Sequence, residues 1–330
     1  MNYLFIIDPI AALDPSHDTS VALMEAAQSL GHSVWIAEAK NLWVSGGTAW
    51  GLLTAVTLQP VVLEDGHWVV KHPWFTLGDR TALSLESMDA VFMRIDPPVN
   101  TAYLYTTYIL DYIDATQTLV VNSPNGVRLA NEKMYALQFT EVIPETIVSQ
   151  DKQVIRQFVE QHGAAVLKPL GGKGGEGILF IEAGDRNFNS LVEISTQNHL
   201  PIMVQKFLPA ASEGDKRIIL LHGDPIGAVN RIPSGGDFRG NMAVGGRVAA
   251  VDITDRDRQI CEVVAPALRR DGLMFVGLDV IGGYLTEVNV TSPTGIREID
   301  RLSGTQLGVQ VMQWVEQQVK QFKKPTSQVS

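Results

Sequence analysis

A glycine-rich loop is the first stretch of the sequence whose composition and spacing point to chemistry. Residues 168–182 are KPLGGKGGEGILFIE, and the run from Gly172 to Gly177 has the spacing G-x-G-x-x-G. A Walker A loop is excluded, because Lys173 is followed by Gly174 rather than by Ser or Thr. A dinucleotide-binding fingerprint must open a helix, whereas the run ILFIE that follows is typical of a strand. The pattern therefore predicts a flap between two strands whose backbone amides approach phosphates, although an ordinary hairpin has the same composition.

A second cluster of candidate residues lies in 277–295, GLDVIGGYLTEVNVTSPTG. Asp279, Glu287 and Asn289 supply hard oxygen ligands suited to Mg²⁺. Glu287 and Asn289 are two residues apart, so on a strand they share a face. A two-residue turn at Gly282–Gly283 would place Asp279 on the face opposite Glu287, whereas a three-residue loop would pair the two acids. A metal site requires the second register; a solvated hairpin with its acids facing water is the alternative.

Composition limits the classes of protein to which the chain can belong. It has 330 residues, which suggests about two domains, and its net charge of −10 argues against a general nucleic-acid or anionic-membrane binder. The single cysteine, Cys261, excludes a disulfide within the chain, and its place on the apolar face of a predicted helix indicates a core residue. No apolar stretch approaches the length of a membrane span, and no targeting segment is visible, so we expect a cytoplasmic protein. The kinase signatures H-R-D-x-x-x-x-N and D-F-G are absent.

The elements that must position these residues follow from periodicity and turn signals. In the first third, strands and helices alternate, which predicts a small, mostly parallel sheet with helices on both faces. The middle predicts a helix near Ala130–Thr140 and a strand on each side of the glycine loop. The last third predicts a helix near Asp255–Asp271, a hairpin around Gly282–Gly283 and a final amphipathic helix near Thr305–Phe322. Further predicted elements are strands at Tyr3–Ile7, Ser33–Ala37, Ala90–Arg94 and Leu119–Asn122, a helix at Thr19–Leu30, and a tyrosine-rich helix in which Tyr103, Tyr105 and Tyr108 pack.

Seven stretches together resemble the bacterial-type glutathione synthetase family of the ATP-grasp superfamily. In chain order they are DPIAALDPSHDTS, MRIDPPVNTAYLYTTYIL, NEKMYALQF, LKPLGGKGGEGI, GDKRI, NRIPSGGDFRGNMAVGGR and GLDVIGGYLTEVNVTSPTGIREI. The resemblance implies an α/β (α+β) ATP-grasp fold that occupies about residues 133–316. It also implies an N-terminal Rossmann-like pre-ATP-grasp domain over 1–122, a central lid subdomain over 123–200 and a C-terminal ATP- and Mg-binding subdomain over 201–318. A flexible tail is expected over 323–330.

The same resemblance implies an activity, cofactors and partners. ATP, γ-glutamylcysteine and glycine would give glutathione, ADP and phosphate through an acyl phosphate. Mg²⁺ or Mn²⁺ would act as cofactor, with two ions accompanying ATP, and the chain would form a homo-oligomer, a tetramer by family resemblance. Two alternatives remain open: another ATP-grasp ligase, such as a D-alanine:D-alanine ligase, and a nucleotide-binding module without enzymatic activity.

Roles for individual residues also come from the resemblance. Arg231 and Arg217 are expected to be catalytic, and Arg94, Arg231 and Arg239 to bind substrate. The metal ligands would be Asp279, Glu287 and Asn289. The ATP-binding set comprises Lys133, Lys168, Gly171, Gly172, Lys173, Gly174, Gly175, Gly177, Gln205, Lys206, Phe207, Leu208 and Asp215.

Several of these residues have simpler interpretations. Lys133 could be a solvated lysine on an exposed helix, and Arg94 could form a local ion pair with Asp96. Lys173 and Lys206 are departures from the family pattern. Residues 232–247, which include five glycines, predict a lid that closes over the substrates; a surface loop without a role is the alternative.

Overall fold

The structure is a computed structural model that describes residues 1–172, 174–197, 199–233 and 247–322. The chain divides into two compact units. The first comprises Met1–Arg128, Leu268–Phe275 and the chain from Thr291 onward, and the second comprises Leu129–Ala267 and Val276–Val290. Lys173, Arg239, most of the predicted lid and the predicted flexible tail lie outside the described residues.

Strands and helices are distributed over both units. The strands are β1 (Asn2–Ile6), β2 (Ser33–Ala37), β3 (Leu42–Ser45), β4 (Thr48–Leu58), β5 (Val61–Glu64), β6 (His67–Val70), β7 (Phe75–Ser84), β8 (Ala90–Met93), β9 (Leu119–Val121), β10 (Thr146–Ser149), β11 (Ala164–Pro169), β12 (Leu179–Glu182), β13 (Ile202–Lys206), β14 (Asp215–Leu221), β15 (Asp224–Ile232), β16 (Arg247–Ala250), β17 (Phe275–Ile281) and β18 (Tyr284–Asn289). The α-helices are α1 (Thr19–Ser29), α2 (Thr101–Leu110), α3 (Pro124–Leu129), α4 (Lys152–His162), α5 (Phe188–Thr196), α6 (Asp255–Arg270), α7 (Ile296–Ser303) and α8 (Leu307–Phe322). None of the helices in the described ranges is long and apolar enough to cross a membrane.

A seven-stranded sheet organises the first unit. Its order is β3-β4-β2-β1-β8-β9, and β7 pairs with β4. The pairings among β2, β1, β8 and β9 are parallel, and Tyr3, Leu4, Phe5 and Ile6 of β1 are all fully buried, as expected for a strand covered on both faces. The pairings of β4 with β2, β3 and β7 are antiparallel. The sheet is therefore mixed, and the prediction of a mostly parallel sheet was wrong because it missed the strands between Leu42 and Ser84.

Two sheets organise the second unit. A four-stranded antiparallel sheet has the order β10-β13-β11-β12. Its core combines residues of α4, α5 and the sheet, including Ile155, Leu167, Ile181, Val192 and Val204. A five-stranded sheet has the order β16-β15-β14-β17-β18. These two sheets hold the glycine loop and the predicted metal hairpin, respectively.

Local structure also departs from the predictions in several helical segments. The helix predicted near Ala130–Thr140 was wrong, because only a short 3-10 helix, Met134–Gln138, forms there, with Lys133 at its N-cap. Helices α3, α5 and α7 were not predicted. Tyr103 is buried as predicted, whereas Tyr105 and Tyr108 are exposed, so their predicted packing was wrong. Cys261 is buried as predicted, and burial raises the pKa of its thiol to about 12.

Candidate functional site

The glycine loop joins two strands, as predicted. β11 and β12 pair antiparallel from Ala164 opposite Glu182 to Leu167 opposite Leu179. Gly174, Gly175 and Gly177 have φ values of 59°, 82° and 69°, which residues with a side chain rarely adopt. A Cβ added at Gly172 would lie 2.9 Å from the Glu176 carbonyl oxygen, and Gly171 has open space around it. The backbone therefore requires glycine at several of the predicted positions.

Lys133 connects this loop with the predicted metal hairpin inside the second unit. Its Nζ donates to the Gly172 carbonyl oxygen at 2.8 Å and to Glu287 Oε1 at 2.9 Å. The residue is only 4% exposed, so the alternative of a solvated lysine on an exposed helix is excluded. One carbonyl oxygen and one carboxylate thus hold the Lys133 ammonium group in one position at the start of the flap.

Asn131 and Glu132, which sequence reasoning missed, hold this segment in place. Asn131 Nδ2 donates to the Leu170 carbonyl oxygen, and Asn131 Oδ1 accepts from the Lys133 amide. Glu132 accepts from two backbone amides at the β18 end, through its carbonyl oxygen and through Oε1. The position of Asn131 directly before Lys133 was an available signal, since asparagine side chains commonly hydrogen-bond to nearby backbone groups in turns. The partners of Glu132 are distant in the sequence, so no local signal marked it.

The predicted pairing of Asp279 with Glu287 is confirmed, but the turn that produces it differs from the prediction. Gly282 and Gly283, both with positive φ, form a two-residue turn that pairs Ile281 with Tyr284. The register then shifts by one residue between Asp279 and Val280, at Thr286 on β18, so that Asp279 lies opposite Glu287. A β-bulge in β18, and not a three-residue loop, therefore brings Asp279 and Glu287 into register.

A buried cluster of two acids and two arginines surrounds Asp279. Asp215 and Arg231 are cross-strand partners on β14 and β15, and Arg231 Nη2 lies 2.6 Å from Asp215 Oδ2 and 2.9 Å from Asp279 Oδ1. Arg217 donates to both oxygens of Asp279, from Nε at 2.5 Å and from Nη2 at 3.0 Å. All four side chains are at most 13% exposed. The cluster therefore balances two positive and two negative charges away from bulk water.

The cluster shifts the pKa values of its members. Burial alone would raise the pKa of Asp279, but Arg217 and Arg231 outweigh it and hold that pKa well below the usual carboxyl range. Burial raises the pKa of Asp215, and the attraction of Arg231 offsets this only in part. Burial would lower the pKa of Arg231, yet Asp215 and Asp279 raise it above its usual value. Asp279 is therefore ionised at neutral pH, which is the form that a metal ligand needs.

The predicted metal ligands are mostly committed to protein partners. Besides the contacts of Asp279 and Glu287, Asn289 Nδ2 donates to the Gly277 carbonyl oxygen at 3.3 Å. In the described part of the chain, no three His, Cys, Asp or Glu side chains are arranged to hold a metal ion. Two carboxylates and one amide nevertheless supply only hard oxygen donors on paired strands, so the donor set fits a hard divalent cation.

Lys168 and Gln205 meet between β11 and β13. Lys168 Nζ donates to Gln205 Oε1 at 2.7 Å, and burial lowers the pKa of Lys168. The amides of Lys206 and Phe207 already donate to the carbonyl oxygens of Glu145 and Ala164, respectively. These two predicted ATP contacts therefore cannot use their backbone N–H groups without breaking strand pairing.

The residues at the end of β13 have further neighbours. Lys206 Nζ lies 3.2 Å from Glu145 Oε1 in an exposed ion pair, and the ring of Phe207 packs edge-on against Phe180. Leu208 precedes a 3-10 helix, Pro209–Ser212. Phe207 and Leu208 both lie beyond the end of β13, but the Phe207 amide still donates to Ala164.

Arg94 belongs to the first unit. Its Nε donates to Ser20 Oγ and its Nη2 to the Pro293 carbonyl oxygen, and it lies over the ring of Phe275. Burial lowers its pKa. Nη1 is buried and has no hydrogen-bond partner among the described residues. Arg94 thus retains one unused donor at the end of β8.

Comparison with known proteins identifies close relatives along the whole chain. The family model described as "Prokaryotic glutathione synthetase, N-terminal domain" matches residues 1–128, and "Prokaryotic glutathione synthetase, ATP-grasp domain" matches residues 132–304. The glutathione synthetase of Thermosynechococcus vestitus is 69% identical over 316 residues, which cover 96% of this chain and 99% of that protein. That of Synechocystis sp. is 64% identical and covers 96% of this chain and 100% of the relative.

Solved structures support the fold. D-cycloserine synthetase DcsG aligns with a TM-score of 0.65 at 13% identity, over 97% of this chain and 100% of the other. The ATP-grasp ligase PsnB, complexed with a minimal precursor, Mg and ADP, aligns with a TM-score of 0.61 at 14% identity, over 96% of this chain and 98% of that one. At such low identity the likeness concerns the fold, and it confirms the predicted ATP-grasp architecture.

Proposed function

The chain belongs to the prokaryotic glutathione synthetase family, and from this premise we propose which of its residues perform each part of the reaction. It is an ATP-dependent ligase that joins γ-glutamylcysteine and glycine to give glutathione, ADP and phosphate. The dipeptide carboxylate is phosphorylated by ATP, and the glycine amine then attacks the acyl phosphate. The chain must therefore bring anions together and keep water from the intermediate.

Lys133, Lys168 and the glycine flap are proposed to bind the phosphates of ATP. The supporting observation is that Lys133 is buried against the flap at Gly172, while the positive φ values of Gly174, Gly175 and Gly177 give the flap a backbone conformation that can approach a phosphate closely. The whole chain is acidic, so cations fixed at this point provide the attraction that the rest of the surface lacks. We place the flap in a lid subdomain over 123–200 and the metal hairpin in an ATP-binding subdomain over 201–318.

Arg231 and Arg217 are proposed to stabilise the charge that develops during phosphoryl and acyl transfer. The single observation that supports this most strongly is their arrangement: two guanidinium groups are held in place by the protein's own carboxylates, Asp215 and Asp279. Preorganised donors of this kind cost no reorganisation at the transition state. The fixed geometry also restricts the direction from which a carboxylate can approach.

Asp279, Glu287 and Asn289 are proposed to hold the divalent metal that the family requires. We propose Mg²⁺ or Mn²⁺, with two ions accompanying ATP, because the donors are hard oxygens and Asp279 is kept ionised. When bound, such ions neutralise phosphate charge. Lys133 would then exchange its contact with Glu287 for contacts with phosphate oxygens.

The remaining predicted residues are proposed to hold the ends of the substrates. The Leu208 backbone is the best-placed adenine contact, because the amides of Lys206 and Phe207 are already used. Arg94 is proposed to bind a substrate carboxylate through Nη1, the donor that has no partner among the described residues.

A substrate-omission assay tests the function. We expect phosphate release only when ATP, a divalent cation, γ-glutamylcysteine and glycine are all present, together with glutathione formation in equal amount. Good turnover of two D-alanines with none of the dipeptide would contradict it, as would glutathione formation without ATP.

Assembly and location are separate proposals. We propose a homo-oligomer, a tetramer as in the resemblance, because Tyr105, Tyr108 and Tyr112 expose aromatic surface around one helix, α2, of the first unit; exposed aromatics are enriched at interfaces. Light scattering of the chain and of a Tyr105→Lys/Tyr108→Lys variant tests it: a wild-type monomer contradicts the proposal.

We propose a cytoplasmic location because the sequence has a single cysteine, which is typical of a reducing compartment.

A further inference from the structure

A buried amide connects Lys168 with a threonine on the neighbouring strand. Gln205 is 3% exposed. Its Oε1 accepts from Lys168 Nζ at 2.7 Å, and its Nε2 donates to Thr146 Oγ1 at 3.0 Å. Thr146 Oγ1 in turn donates to the Pro144 carbonyl oxygen at 2.7 Å. Thr146 and Gln205 are cross-strand partners on β10 and β13, so the contact follows from the register of the sheet.

Donor and acceptor chemistry allows only one direction along this chain. The Pro144 carbonyl oxygen can only accept, so the Thr146 hydroxyl gives its hydrogen there and offers a lone pair to Gln205. The amide nitrogen of Gln205 must then face Thr146, which leaves the amide oxygen facing Lys168. A lysine ammonium can only donate, so this orientation is the one that suits it.

We propose that Gln205 and Thr146 are positioning residues that hold the Lys168 ammonium for a phosphate of ATP through uncharged partners. The inference rests on the proposed role of Lys168 as a phosphate ligand. It assigns the Gln205 side chain to Lys168 and not to the adenine, and it gives Thr146 a role that the sequence did not suggest.

The partner of Lys168 is an uncharged amide, whereas Lys133 and Lys206 have carboxylate partners. Lys133 is held by Glu287 and Lys206 by Glu145, so the charge of each is already compensated by a carboxylate. Gln205 fixes the Lys168 ammonium by a hydrogen bond from a neutral group. The carboxylates of Glu287, Asp215 and Asp279 attract its charge electrostatically, but Lys168 forms no ion pair within the described ranges. Burial disfavours the charged form of Lys168 and so lowers its pKa. A bound phosphate would stabilise that charged form again.

Four variants test this chain of contacts. For each variant, calorimetry measures the dissociation constant (Kd) of ATP in the presence of the divalent metal, and steady-state kinetics measure the KM for ATP and kcat. Gln205→Glu places a carboxylate beside Lys168, and we expect the ATP Kd to rise about 10- to 100-fold. Gln205→Leu should raise it by a similar factor because the ammonium loses its partner. Thr146→Val should raise it about 3- to 10-fold, and Thr146→Ser, which restores the hydroxyl, should return it to within about twofold of wild type. In each impaired variant the KM for ATP should rise and kcat should fall, in the same direction as in Lys168→Ala but to a smaller extent.

Thr196→Val is the matched control for removing a buried threonine hydroxyl. Thr196 is 4% exposed, and its Oγ1 donates to the Val192 carbonyl oxygen within α5. This variant should lose as much stability to urea as Thr146→Val, with no change in ATP affinity. An unchanged Kd in Gln205→Glu overturns the proposal, and equal losses in Thr146→Val and Thr146→Ser overturn the role of the hydroxyl.

A double-mutant cycle with Lys168→Ala separates this inference from the role of Lys168 itself. If the ammonium binds phosphate, Lys168→Ala weakens ATP binding, and adding Gln205→Leu to it should cause no further loss. Unchanged ATP affinity in Lys168→Ala contradicts the role of Lys168. Lost affinity in Lys168→Ala with additive loss from Gln205→Leu contradicts only the positioning by Gln205.

Discussion

Glu287→Gln and Asp279→Asn are nearly isosteric changes in two paired residues, and the structure predicts very different costs in stability. The Glu287 side chain is 22% exposed, and among the described residues its ion pair is with Lys133. A glutamine keeps an oxygen acceptor there, and Lys133 keeps its bond to Gly172. We therefore expect the free energy of unfolding to fall by about 1 kcal/mol, the value of one ordinary hydrogen bond.

Asp279→Asn should cost more because the carboxylate is 3% exposed and is shared by two cations. Arg217 uses both of its oxygens and Arg231 uses one. An asparagine offers one oxygen and turns an N–H₂ group toward a guanidinium. Removing one partner from a buried ion cluster typically costs about 3–5 kcal/mol, so the two variants should differ by about 2–4 kcal/mol.

Urea unfolding at constant temperature in buffer with EDTA measures this difference without a contribution from bound metal. Glu141→Gln, which neutralises an exposed carboxylate of the same unit, controls for loss of charge and should stay within about 0.5 kcal/mol of wild type. Both site variants should lose metal-dependent phosphate release. If Asp279→Asn unfolds within 1 kcal/mol of Glu287→Gln, the buried cluster does not stabilise the fold as argued.

Three further outcomes follow from single residues. Lys168→Ala should lower kcat at saturating ATP by about 10²–10³-fold, the typical effect of removing one preorganised electrostatic donor; near-normal turnover would contradict the assignment. Gly172→Ala should raise the KM for ATP because its Cβ would lie 2.9 Å from the Glu176 carbonyl oxygen, whereas Gly78→Ala, whose nearest neighbour is at 3.5 Å, should not. The Cys261 thiol should resist thiol reagents in the native protein and react after unfolding. Because its pKa rises from 9.0 to about 12 on folding, its contribution to stability is complete below pH 9.0 and declines as pH rises toward 12, so unfolding free energies should fall less steeply over this range in Cys261→Ala.

The sequence was sufficient to predict those helices and strands whose position depends only on a local hydrophobic pattern and a capping or turn residue. Helix α1 begins after Asp18, whose side chain accepts from the Val21 amide, and Gly31 follows its end with a φ of 79°. The strand–loop–strand context of the flap was predicted because β-branched residues follow the last glycine. In such places local propensity and tertiary structure agree.

The strands between Leu42 and Ser84 were missed although the turns between them had a readable signal. Gly46–Gly47 connects β3 to β4, and Asp65–Gly66 connects β5 to β6, with positive φ at all four residues. Both dipeptides are typical of two-residue hairpins. β7 is mostly exposed and mixes charged with apolar residues, so it lacks the alternation that identifies a half-buried strand.

The register of the metal hairpin could not be predicted from its own sequence. The two-glycine turn fixes the pairing at Tyr284, and without an irregularity Asp279 would lie opposite Thr286. The bulge is stabilised by contacts outside the turn: the Thr286 hydroxyl donates to the Asp279 carbonyl oxygen, and the Leu285 amide donates to Val142. Val142 is far away in the sequence, so no local rule includes it.

Four cations of the candidate site, Arg217, Arg231, Lys133 and Lys168, have partners that imply different responses to an anionic ligand. Arg217 and Arg231 are held by carboxylates that are themselves buried, so a phosphate can add to them but cannot displace those acids without exposing unpaired charge. Lys133 is paired with Glu287, which is partly exposed and suited to a metal ion, so phosphate and metal together can exchange partners with this pair at little cost. Lys168 is hydrogen-bonded to the Gln205 amide and, in the described part of the chain, forms no ion pair that a phosphate would have to displace. If these residues bind ATP as proposed, the arrangement concentrates positive charge at one point of a chain with a net charge of −10, and each of the four cations keeps a hydrogen-bond partner from the protein.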